Sequence, residues 1–236
     1  MDLFLTAGRI HVAELNGEAE CLVASAPGTV RYLEEELQLS AITGVTTSRV
    51  ARKQGFAGRL TAEVIAADVA EGAQVCALTM FEQGFYDRLG FGTGGYEHMI
   101  RFDPADLNID AVFRPPRRLT KDDWKMIHAA MLARRRGHGG CNLHPPVLIQ
   151  AELGWDEGEF GLGYCDGHNG ELTHFFWVYG KEESGPYHLK FLSYQTFGQL
   201  MELLALIKSL GDQIRLIGII EPAEIQLQDL VRQPFR

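Results

Sequence analysis

Mixed apolar and polar positions run along Ile10 to Val23 and again along Thr29 to Thr47, in stretches of strand-forming residues. These stretches read as strands of a meander. Asn16-Gly17 and Pro27-Gly28 read as the turns that break it. The pattern then changes. From Gly55 to Glu71 the apolar positions Leu60, Val64 and Ala67 recur at helical spacing, alanine is abundant, and Gly72 supplies a C-terminal stop. Gln74 to Met80 reads as a short buried strand, Glu82 to Leu89 as a short helix, and Tyr96 to Phe102 as the strand that closes this segment.

Between Arg101 and Leu119 the regular patterns stop, with Asp103-Pro104 near the start and Pro115-Pro116 near the end. Such a stretch predicts a domain boundary, with a first domain over 1–103 and a second over 117–236. Thr120 reads as an N-cap with Asp123 behind it, ahead of a helix bearing Trp124, Ile127 and Met131 on one face and ending at Arg134-Arg135-Arg136. Strands are predicted at Phe160 to Cys165, Leu172 to Tyr179 and His188 to Tyr194, then a helix with Leu200, Leu203, Leu204 and Ile207, then a strand at Ile214 to Ile220. Each half repeats the order strands, helix, strand, as a duplicated fold would.

Composition narrows the classes. The 236 residues are 46% hydrophobic and 22% charged, enough for ordinary packed cores. No apolar run approaches the roughly 18 residues of a membrane span, and Met1 to Leu15 lacks the basic and apolar segments of a secretion signal. With only four cysteines, the expectation is a cytoplasmic protein without a disulfide framework. The net charge of -9 repels nucleic acid and anionic lipid, so neither is expected as a partner. A cationic ligand is attracted instead.

The most informative stretch runs from Gly44 through Val45-Thr46-Thr47 and Ser48 to Arg52-Lys53-Gln54-Gly55-Phe56-Ala57-Gly58. A β-rich run ends in a basic turn of small residues that feeds directly into an amphipathic helix. The first amides of a helix have no intrahelical acceptor, and the dipole adds about 0.3 to 2 kcal/mol of attraction for an anion. Gly55, Ala57 and Gly58 let a phosphate approach the backbone, and Arg52 and Lys53 add charge. Taken alone, this stretch reads equally well as a plain strand-to-helix connection.

Three further features compete for attention. His138, Cys141 and His144, with Cys165 and His168, are residue types that ligate zinc, but their spacing matches no standard pattern and no metal is assigned. Gly90-Phe91-Gly92-Thr93-Gly94-Gly95 matches the dinucleotide fingerprint in letters only, because it follows a helix and precedes a strand. In Glu34-Glu35-Glu36, alternation sends Glu35 to the side opposite its neighbours, which leaves one side to face a cationic acceptor.

Arg52-x-x-Gly55-x-Ala57 after Val45-x-Thr47 resembles motif A of the GNAT superfamily of N-acetyltransferases, the loop that holds the CoA pyrophosphate. Ala77-Leu78-Thr79-Met80-Phe81-Glu82-Gln83-Gly84-Phe85-Tyr86-Asp87-Arg88-Leu89-Gly90-Phe91-Gly92 resembles motif B, in wording most similar to the enhanced intracellular survival (Eis) branch. The resemblance implies an α/β (α+β) fold: a mixed, mostly antiparallel GNAT-type sheet flanked by helices, in two tandem copies. It also implies that the N-terminal strand and helices usual in the fold, and a third domain resembling sterol carrier protein, lie outside this sequence. The second half, around Tyr194-Gln195-Thr196-Phe197-Gly198-Gln199-Leu200, has no such loop and is expected not to bind CoA.

By the resemblance, the activity is N-acetyl transfer from acetyl-CoA to a small-molecule or lysine-type amine. The pyrophosphate would lie on Gln54 to Gly58, with Phe56 and Ala57 among them, flanked by Arg52 and Lys53. The pantetheine would run along Val45, Thr46 and Thr47, whose amides also polarise the acetyl carbonyl. Tyr86, otherwise an aromatic core residue beside Phe81, Phe85 and Phe91, falls on the general acid that protonates the departing thiolate. An amine of solution pKa ~10.4 is short of its neutral form by roughly 4 to 5 kcal/mol at neutral pH, so a base is required. In the family the C-terminal carboxylate of the third domain serves, and the assembly is a homo-oligomer, a hexamer. The alternative is a catalytically silent acyl-CoA-binding or structural module with the same fold.

Overall fold

The computed structural model describes residues 2–79, 82–156, 158–180 and 184–233. Helix α1 (Asp2–Leu5) precedes β1 (Arg9–Leu15), β2 (Glu18–Tyr32) and β3 (Glu35–Thr47), followed by α2 (Phe56–Ala70), β4 (Val75–Ala77) and α3 (Gln83–Asp87). Next come β5 (Met99–Phe102), β6 (Arg117–Leu119), α4 (Trp124–Ala133), β7 (Cys141–Leu143) and α5 (Pro146–Glu152). Last are β8 (Phe160–Tyr164), β9 (His174–Gly180), β10 (Tyr187–Ser193), α6 (Phe197–Ser209) and β11 (Ile217–Ile220). The Met80 end of the sequence-predicted strand, and Phe81 of the second motif, lie outside the described residues.

The chain forms two compact units, Met1–Gly95 with His138–Leu148, and Tyr96–Gly137 with Ile149–Arg236. The first is built on a sheet of order β1-β2-β3-β4, with β7 pairing β2 as well. All its pairs are antiparallel except β3 with β4, which are parallel and joined through α2. Leu60 and Val64 of α2 are buried against Ala13, Cys21, Val23 and Ile42, which fixes the helix over the sheet. A polar tie completes this packing. Asp68 of α2 accepts from Ser40 Oγ at 2.6 Å and from Arg9 Nε at 2.7 Å. Burial alone would raise the Asp68 pKa, but hydrogen bonds from Ser25, Ser40 and Arg9 outweigh it and hold the carboxyl below its ordinary value.

Several sequence expectations change here. Pro27-Gly28 is no turn: β2 runs through it to Tyr32, and the reversal comes at Leu33, whose φ is 54°. Pro27 falls between Ser25, the end of the pairing with β1, and Gly28, where the pairing with β7 begins. A residue without an N–H is tolerated where a strand changes edge partners. The closing strand at Tyr96 to Phe102 shortens to β5, which pairs with β11 in the second unit rather than closing the first sheet. In its place the first unit takes β7, whose Cys141–Leu143 lies opposite Gly28–Val30. Glu35 and Glu36 sit at the opposite end of β3 from Val45–Thr47, and Glu34 pairs with Arg31.

The second unit holds a sheet of order β5-β11-β10-β9-β8-β6, antiparallel except for β10 with β11. Phe176, Val178 and Leu189 cluster with Leu200, Leu203, Leu204 and Ile207 of α6. Phe175 and Trp177 join a second cluster with Leu119 and with Ile127 and Ala130 of α4. With helices over both faces, β9 is buried from His174 to Val178, which explains its run of aromatic and aliphatic residues without alternation. The steps β3-α2-β4 and β10-α6-β11 follow antiparallel strands in the same order, so the mixed, mostly antiparallel sheet flanked by helices occurs in two copies. Among the described residues no helix is long and apolar enough to cross a membrane.

Candidate active site

The site begins where two parallel strands part. β3 pairs with β4 only from Leu39 opposite Val75 to Ala41 opposite Ala77. On its other edge it stays paired with β2 as far as Thr47 opposite Cys21. From Ile42 to Thr47, therefore, one edge of β3 has no partner strand among the described residues. The register of β2 and β3 shifts between Ala24 and Ser25, which face Gly44 and Ile42, leaving Thr43 as an extra residue. A bulge of this kind bends the strand and re-aims the residues beyond it, here Val45, Thr46 and Thr47.

The turn after β3 is fixed by its own polar groups. Ser48 N–H donates to the Glu20 carbonyl at 2.8 Å, and the Gln54 amide donates to the Val50 carbonyl at 2.9 Å. Lys53 and Gly55 both have positive φ, 63° and 82°, which turns the chain sharply into α2. Gly55 is the N-cap, and no side chain caps the helix or places a carboxylate in its first turn. The amides of Phe56, Ala57 and Gly58 have no acceptor among the described residues. A Cβ built on Gly55 meets nothing within 4 Å, so the chain is open on that side of the N-cap. Arg52 and Lys53 are exposed beside it, with no ion pair among the described residues. An uncapped positive end with open approach and flanking cations has the chemistry of a phosphate site.

Tyr86 lies on α3. The residue is 7% exposed, its ring gripped edge-on by Phe85 at a centroid distance of 5.0 Å and by Phe91 at 5.8 Å. Burial, reinforced by the Glu82 carboxylate, pushes its pKa up, so the phenol stays protonated through neutral pH. Its hydroxyl makes no hydrogen bond among the described residues and remains free to donate. A Cβ on Gly58 would lie 3.6 Å from Leu89 Cδ2, so the first turn of α2 packs against the turn that ends α3. That contact brings the two sequence motifs together.

The second copy shows the contrast. Helix α6 starts with a capping box: Thr196 Oγ1 accepts from Gln199 N–H at 3.3 Å, and Gln199 Oε1 accepts from Thr196 N–H at 3.2 Å. Its first turn is thus closed by its own side chains. Pairing of β10 with β11 stops at His188 opposite Gly218, yet chain bridges the strand ends. Arg135 N–H donates to the Tyr194 carbonyl at 2.7 Å, and the Arg135 guanidinium pairs with Glu224 at 2.5 Å.

Sequence reasoning missed a polar cluster in this unit. Arg114 binds Glu202 and Asp166 through both carboxylates, at 2.8 and 2.7 Å, and Glu202 Oε2 lies 3.1 Å from Nε2 of fully buried His174. Hydrogen bonds from Arg114 hold Glu202 down to about 2, and burial lowers His174. Among the described residues Asp166, His174 and Glu202 are the group whose ligand atoms come within metal-binding range of each other, but the Arg114 guanidinium already supplies the cation. His138, Cys141, His144, Cys165 and His168 form no such group; His138 Nδ1 instead accepts from the Leu33 amide at 3.1 Å.

Residues 2–94 match the family model of the acetyltransferase (GNAT) domain. No curated protein matches the chain. Among solved structures, a probable N-acyltransferase from Enterococcus faecalis shares 16% identity at a TM-score of 0.79, covering 99% of this chain and 60% of its own. Eis1 from Mycobacterium abscessus shares 16% at 0.78, covering 99% and 61%. A GCN5-related N-acetyltransferase from Kribbella flavida shares 19% at 0.70, covering 97% and 56%. The chain thus spans about 60% of the length of the first of these. The diverging strands, the open helix end and the Tyr86 segment thus fall within the stretch that matches the GNAT acetyltransferase domain, residues 2–94, while the fold of the whole chain is similar to that of Eis1.

Proposed function

We propose that the chain is an acyltransferase that moves the acetyl group of acetyl-CoA to a primary amine of a small molecule or a lysine-type acceptor. The observation that carries this reading is the uncapped start of α2 at the point where β3 leaves β4. The amides of Phe56 to Gly58 receive the pyrophosphate, with Arg52 and Lys53 adding charge, and the unpaired edge of β3 offers Val45 to Thr47 to the amide-bearing arm. The neutral amine attacks the acetyl carbonyl, the C–N bond forms, the C–S bond breaks, and the proton lost from nitrogen passes to solvent, which restores the phenol of Tyr86 after its transfer. Tyr86 gives its proton to the departing sulfur. A thiol of ordinary pKa near 8.5 leaves poorly as thiolate at neutral pH, so a positioned acid contributes typically about 10²- to 10⁴-fold. The acidic balance of the chain favours an ammonium-bearing acceptor.

Thermal-shift titration with acetyl-CoA tests the shared premise. Stabilisation that disappears in Lys53→Glu supports it, and no stabilisation at millimolar ligand contradicts it. Thiol release with polyamines, lysine derivatives and aminoglycosides then tests transfer. Binding without thiol release for any of these amines would leave the silent module as the better reading.

A further inference from the structure

We infer that Glu82 is a positioning residue for Tyr86, setting the phenol by capping the short helix that carries it. This rests on the reading of Tyr86 as the acid. Helix α3 has five residues, too few to hold itself by propagation alone. Its end is well fixed: Leu89 N–H and Phe91 N–H both donate to the Tyr86 carbonyl, at 2.9 and 3.2 Å, and Gly90 turns the chain at φ 91°. Its start depends on Glu82, whose backbone is extended and whose Oε2 accepts from Phe85 N–H at 2.6 Å. Among the described residues this is the one side-chain hydrogen bond to the α3 backbone. The other carboxylate oxygen lies 3.3 Å from where a Cβ on Gly84 would stand, so the side chain folds back over the first turn.

Serine, threonine, asparagine and aspartate are the usual caps, and glutamate is a longer, less economical one. After burial, the Glu82 carboxylate also pushes the Tyr86 pKa up, which favours the protonated form an acid needs. The other charged side chains of this segment, Asp87 and Arg88, are exposed.

The test is a double-mutant cycle on the full chain, read in steady-state transfer. Glu82→Ala is expected to lower kcat by roughly 10- to 100-fold, the effect of a misplaced catalytic group, with KM for acetyl-CoA little changed. Glu82→Gln keeps the accepting oxygen and is expected to restore most of kcat. In a Tyr86→Phe background, Glu82→Ala should cost nothing further. Full additivity in that background would overturn this proposal alone, whereas unchanged turnover in Tyr86→Phe would overturn the assignment of the acid and this proposal with it. Hydrogen exchange at the Phe85 amide reads the cap without turnover. It should speed up in Glu82→Ala and stay slow in Glu82→Gln, and equal protection in wild type and Glu82→Ala would also overturn the proposal.

Discussion

Lys53 and Gly55 hold the backbone at positive φ, and the two are not equivalent. Glycine adopts that region freely, whereas lysine is strained there, of order 1 to 3 kcal/mol. Strain of that kind is kept where a turn must present something, here an exposed ammonium beside an open helix end. Lys53→Gly should therefore raise the melting temperature or leave it unchanged while weakening acetyl-CoA binding roughly 10-fold, by loss of a charge-assisted contact. Calorimetric titration alongside thermal melting checks both signs. Tyr86→Phe, with only a hydroxyl removed, should lower kcat about 100-fold or more and leave acetyl-CoA affinity within about twofold. Both residues stand out in the sequence because they sit in local strings of small, basic and aromatic residues. Glu82 reads there only as a helix start, because its capping role depends on a side-chain geometry that letters do not carry.

At the scale of elements, the two crossover helices differ at their first turns. Thr196→Ala removes a cap from α6 and should cost about 0.5 to 2 kcal/mol in denaturant unfolding, with acetyl-CoA binding unchanged. Helix α2 has no side-chain cap to lose. The long helices are legible: α2 and α6 carry clear helical periods in the sequence, whereas β2 and β3 are read as strands with the reversal between them misplaced. The short strands are not legible. β5 and β7 have four and three residues, and each pairs with a strand far away in sequence, Ile220 opposite Met99 and Thr29 opposite Asn142. No local pattern specifies such a partner, so sequence alone assigns Tyr96 to Phe102 to the first sheet and gives no strand at Cys141 to Leu143. Pro27-Gly28 misleads for the opposite reason, since a strong local turn signal is overridden by pairing on both sides.

Across the whole molecule, the two copies differ in the polar groups that tie them together. The second unit is fastened by Arg114, Asp166, Glu202 and His174, none of them marked by any motif. Glu202 and Asp166 are held below their ordinary pKa by Arg114, and His174 is lowered by burial. The unfolded chain binds more protons than the folded one in each case, so their contribution is present above the unfolded pKa values and is lost on acidification. The loss should begin below about pH 6.5 for His174 and deepen below about pH 4.3 as Glu202 approaches its folded value. Thermal melts across this range check the sign. In Arg114→Gln the two carboxylates face each other without a cation, so the variant should be less stable at neutral pH, with the difference narrowing as pH falls.

One isothermal titration bears most directly on the claim that acetyl-CoA is held at the open start of α2 and nowhere else. Wild-type protein should bind one equivalent per chain, with an affinity that weakens as salt rises, and Lys53→Glu should abolish the signal while the fold is retained by circular dichroism. Two equivalents per chain, or full binding in Lys53→Glu, would contradict it.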